Sequence, residues 1–141
     1  MKYGKFLFIG LLFLAFFIPS STFAQVEVFS ATLIGTRTCG DFNVTKIKQT
    51  VFVEISPGFI DIFADAALTN LLAELEIFEV YQTGITTFAF SAFESGFSFE
   101  AVTGTGKFNT SGIVSFLGTF NQMDLGGCFS NGTIKSVRRL S

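Results

Sequence analysis

Thr50-Val51-Phe52-Val53-Glu54-Ile55-Ser56-Pro57-Gly58-Phe59-Ile60-Asp61-Ile62-Phe63 consists of two alternating runs around a turn. Val51, Val53 and Ile55 share one face of the first run. In the second, Ile60 and Ile62 oppose Phe59, Asp61 and Phe63. A repeat of two is the side-chain period of a strand with two different faces. Pro57 fixes its own φ and Gly58 admits a positive one, so Ser56-Pro57-Gly58 reverses the chain. The stretch predicts a β-hairpin.

The same rhythm extends in both directions. Val26 to Ile34 alternates for most of its length, and Glu76 to Tyr81 is a further candidate strand. Thr86 to Ser91 places Phe88 and Phe90 together, and Phe97 to Ala101 aligns Phe97, Phe99 and Ala101. Gly112 to Phe120 and Cys128 to Leu140 complete the series, with Gly- or Asn-bearing turns near 82–84, 94–96, 109–112 and 124–127. About eight strands at short spacing, in a chain rich in Phe, Thr, Val and Ile, predict an all-β antiparallel meander closing into a small barrel. A sandwich with adjacent terminal strands is the alternative. One segment departs from period two. Leu68, Leu71, Leu72 and Leu75 have helical spacing behind a capping Asp65, which predicts a short helix over 66–75. A turn at Thr69-Asn70 within a continued meander competes with it.

The first 24 residues have the three parts of a cleavable signal peptide. Lys2 and Lys5 precede an uncharged apolar run from Phe6 to Ile18, and Thr22-Phe23-Ala24 offers small residues before Gln25. The run is short for a membrane span, which takes roughly 20 residues. Residues 25–141 then form a single domain, secreted or periplasmic, with no transmembrane helix. Without Lys2 and Lys5 the formal charge moves from −2 to −4. That mild acidity argues against a nucleic-acid partner.

Cys39 and Cys128 are the two cysteines. In an exported chain they predict a disulfide. Cys39 falls at the end of the first strand and Cys128 at the start of the last, so the bond and a closed sheet support each other.

Ile34-Gly35-Thr36, Leu117-Gly118-Thr119-Phe120 and Asn131-Gly132-Thr133-Ile134 resemble the Gly-Thr-rich strand pieces of small calycin-like barrels, the avidin and lipocalin types among them. The resemblance implies a closed β-barrel over roughly 29–139 and carries no binding residue with it. The chain has no Trp, which marks avidins and lipocalins, so biotin binding is not implied.

The absence of His removes the commonest general base and the commonest metal ligand. No catalytic, cofactor-binding or metal-binding residue is assigned, and the chain reads as a non-enzyme without a cofactor. Thr103-Gly104-Thr105-Gly106-Lys107 lacks phosphate-loop spacing and reads as a turn. Among the carboxylates, Asp61 and Glu100 sit in Phe-rich segments and gain interest if they face inward. The functional expectation is a binding module for a small apolar ligand, with Phe88, Phe90, Phe97 and Phe99 as the candidate cavity lining. The same Phe residues could instead fill a packed core. The alternative function is a structural or interaction protein of the cell envelope or extracellular space.

Overall fold

A computed structural model describes residues 25–41, 43–94 and 99–141. The expected signal peptide, residues 1–24, lies outside the described residues. Eight strands follow in order: β1 (Glu27–Cys39), β2 (Asn43–Ser56), β3 (Phe59–Phe63), β4 (Leu71–Gln82), β5 (Thr87–Glu94), β6 (Phe99–Asn109), β7 (Gly112–Met123) and β8 (Phe129–Arg139). Each pairs antiparallel with the next, and β8 returns to β1, closing the barrel. Residues 50–63 form the β2–β3 hairpin, with Val53 opposite Ile62 and Ile55 opposite Ile60. Gly58 turns it at φ 90°.

Two of the Gly-Thr motifs, 34–36 and 131–134, lie at the closing seam, while the third, 117–120, lies in β7 with Gly118 opposite Gly104 of β6. Gly35 of β1 sits opposite Gly132 of β8. A Cβ on Gly35 would come within 2.1 Å of the Asn131 carbonyl oxygen, and one on Gly132 within 2.1 Å of that of Ile34. The two strands approach too closely there for any side chain, which is the physical demand behind both motifs. The disulfide joins Cys39 to Cys128 beside the same seam, with Cα atoms 4.3 Å apart.

Inward-facing residues make one core. Phe29, Val51, Val53, Leu75, Phe88 and Ile113 are among its most buried members. Phe29 and Phe116 meet edge to face with centroids 5.4 Å apart.

Two expectations require correction. No helix forms near 66–75: residues 64–70 are a loop and β4 begins at Leu71. The Asp65 carboxylate does accept backbone N–H groups, but from Thr69 and Asn70 rather than from the first helical turn. Leu68 adopts φ 56°, which stops helical propagation. Ala73 and Leu75 then pair with Ile62 and Ile60, so burial against β3 overrides the leucine spacing. The segment 103–107 is the interior of β6 rather than a turn. Its glycines provide room, since a Cβ on Gly106 would meet the Phe88 ring at 2.3 Å.

Candidate functional site

The barrel has two unlike ends. At one end β1, β3, β5 and β7 begin; at the other β2, β4, β6 and β8 begin. The first end is closed. Glu27, 1% exposed, accepts the Ile113 N–H on both carboxylate oxygens, at 3.1 and 3.0 Å. Arg139 pairs with it at 2.9 Å and also donates to the carbonyl of Ser111 at 3.0 Å. Gly112, at φ 113°, leaves space for that carboxylate. Burial pushes the Glu27 carboxyl up from its ordinary value, against the pull of the Ile113 N–H and the Arg139 charge.

Next to this plug, the centre of the barrel is filled. The remaining void is about 20 Å³ and is walled by apolar side chains, Phe88, Phe90 and Val102 among them. That is room for about one water, with no polar group to hold it. Phe88 and Phe90 therefore serve as packing. Phe97 lies outside the described residues, and of Phe99 only the backbone, in β6, is described.

The opposite end is open. A recess of about 390 Å³ enters the barrel there, with Leu33, Ile47, Ile62 and Phe120 supplying apolar wall and floor. Its rim follows from register. Glu94 of β5 is opposite Glu100 of β6, which is opposite Gln122 of β7; Gln122 is opposite Ser130 of β8, and Ser130 opposite Arg37 of β1, which faces Thr45 of β2. Directly paired residues share a face. Six consecutive strands thus present a continuous polar row, while the row below it, from Ala92 and Val102 through Phe120 to Ile47, is mainly apolar.

The charges of the rim are unequal in their partners. Glu100 is 8% exposed and receives no hydrogen bond from the described residues. Burial pushes its carboxyl up to about 7, and the neighbouring Glu94 adds to the rise. Arg37 instead donates to Asp124 in the loop between β7 and β8. Asp124 also accepts the N–H groups of Gly126 and Cys128, each at 2.9 Å. The Cys128 N–H first, and the Arg37 charge with it, hold the Asp124 carboxyl below its ordinary value.

Of the two carboxylates singled out in sequence, Glu100 faces inward and Asp61 outward. Asp61 lies between Glu54 and Glu74 on the outer wall, and its Oδ1 is buried without a hydrogen-bond partner. Burial, then Glu74 and Glu54, raise its carboxyl. Among the described residues these three do not form a metal-holding group. Arg37, Gln122 and Ser130 escaped the sequence reading, because each belongs to the site only through its place in the closed register. The one available signal was the switch from apolar to polar on the inward face near a strand end.

A second recess, about 410 Å³, lies against the outer wall, where Thr105, Leu117 and Lys135 share a register row. It holds no buried unpaired group among the described residues. The architecture agrees with calycin-like barrels in strand number, strand order and closure. Comparison with known protein families, curated proteins and solved structures finds no match to this chain.

Proposed function

We propose that the protein is an exported, non-enzymatic binding module that takes one small amphipathic molecule into the open mouth of the barrel. The supporting observation is the contrast between a filled centre and an open recess of about 390 Å³ at one end. That size falls within the usual range of small-molecule pockets, about 300–1,000 Å³. The apolar part of the ligand rests on Leu33, Ile47, Ile62 and Phe120, and its polar part reaches the row from Glu94 to Thr45. A wholly apolar ligand would leave Glu100 buried without a partner, which costs free energy. Amide chemical shifts during titration with n-octanol test this reading. Shifts concentrated at Leu33, Ile47, Phe120 and Gln122 support it; an unchanged spectrum overturns it.

A second reading, an interaction protein, draws on the outer wall of β4 and β5. Phe78 is 73% exposed and meets Phe93 edge to face with centroids 5.8 Å apart. Phe78→Ser would abolish partner capture under this reading and leave the mouth untouched.

A further inference from the structure

We infer that the ligand of the mouth carries a protonated amine, which docks on the Glu94–Glu100 pair. This rests on the mouth being the binding site and goes beyond it by naming the charge of the ligand. Three features of the rim carry the inference. Glu100 is more than nine-tenths buried, lines the recess and has no donor among the described residues. Glu94, on the adjoining strand, directly faces it in register, so two carboxylates converge on one side of the rim. The cation of the recess, Arg37, lies across the rim and already neutralises Asp124.

A cationic head resolves what the rim leaves open. It supplies N–H donors to Glu100 and relieves the repulsion between the two glutamates. Charge-assisted hydrogen bonds of this kind are about twice as strong as neutral ones. A carboxylate ligand would meet two like charges and find Arg37 occupied. The neighbouring Gln122 carries no charge and offers its amide oxygen as a further acceptor.

The charged and titratable groups at the rim are Glu94, Arg37 and, through Arg37, Asp124. Asp124 is held ionised. Glu100, with its carboxyl raised to about 7, therefore sets the pH response. Amine binding requires its ionised form, so affinity falls as pH drops below about 7, by roughly tenfold per unit.

The experiment compares n-octylammonium, n-octanol and n-octanoate on the native protein by calorimetry at pH 8 and pH 6, then repeats the set on Glu100→Gln. The expected order is n-octylammonium tighter than n-octanol by about tenfold at pH 8, with n-octanoate weakest. Moving to pH 6 should erase most of the advantage, and Glu100→Gln should remove both the advantage and its pH dependence. If n-octanol binds and n-octylammonium binds no better, the mouth stands as a site and the amine inference falls. Tighter binding of n-octanoate likewise overturns it. If none of the three binds, the reading of the mouth itself fails. The pH comparison on the native protein needs no variant, so it decides the matter even where Glu100→Gln folds poorly.

Discussion

The two ends of the barrel each bury a glutamate, and they treat it in opposite ways. At the closed end Glu27 has a backbone N–H and the Arg139 guanidinium, and Gly112 gives up its side chain to make room. At the open end Glu100 has another carboxylate across from it and no donor among the described residues. Both carboxyls are raised by burial, but at Glu27 two attractive partners oppose the rise while at Glu100 Glu94 increases it. A structural plug satisfies its charge internally. A carboxylate left without a donor beside a recess is where the ligand proposed above would dock.

The largest expected effect comes from the covalent tie at the open end. Cys39 and Cys128 are 89 residues apart in sequence. Replacing both with Ser should cost about 4–5 kcal/mol in the chain-entropy account of cross-links. Urea denaturation measures this. A loss below about 1 kcal/mol would show that the glycine seam of β1 and β8 holds the barrel shut without the bond.

The closed end should follow. Arg139→Ala leaves Glu27 with the Ile113 N–H alone, and the expected loss is about 2–3 kcal/mol, below the figure for a fully buried pair because the Arg139 side chain is 31% exposed. Arg139→Lys should recover part of it. A negligible loss would mean that Glu27 is held by Ile113 and needs no counter-charge.

The open end should respond with the opposite sign. The Glu100 carboxyl stands at about 7 in the fold against an ordinary 4.5. Between these values the folded chain binds more protons than the unfolded one. The contribution of Glu100 to stability is therefore full below pH 4.5, is lost as pH rises to about 7, and stays lost above it. After allowing for water at the mouth, the loss is about 2 kcal/mol. Glu100→Gln should flatten this part of the pH–stability curve and make the protein more stable than the native chain at pH 8. A destabilised variant at pH 8 would show that Glu100 is held by a favourable partner after all.

The legibility of these two ends differed in the sequence. Alternation and turns reveal the strands, because burial of one face imposes a period of two on Val51, Val53 and Ile55 as on Ile60 and Ile62. Closure was legible through the cysteines and the Gly-Thr pieces. Over 66–75 the leucine spacing misled, since a loop containing left-handed Leu68 and a strand pairing with β3 can carry the same residues as a helix. Glu100 was visible as a carboxylate among phenylalanines. The rim that gives it meaning was not, because Gln122, Ser130 and Arg37 are 8 to 93 residues apart in the chain and meet only in the register of three strand pairs.

The smallest effect on stability, and the finest test of the comparison, lies at Asp124. This carboxylate holds the loop before β8 through the N–H groups of Gly126 and Cys128, and it pairs with the Arg37 charge at the rim. Asp124→Ala should speed amide exchange at Gly126 and Cys128 while leaving the strands protected. It should also release the Arg37 charge toward the mouth, where it competes with a cationic ligand for the Glu94–Glu100 pair. The affinity for n-octylammonium should then fall by about threefold, a typical size for an exposed charge. Adding Arg37→Gln in the same chain should restore that affinity but not the slow exchange of the loop. Recovery of both, or of neither, would mean that loop order and rim charge are one effect. Recovery of affinity alone separates them, and makes Asp124 the residue that keeps the open end acidic where the closed end is neutral.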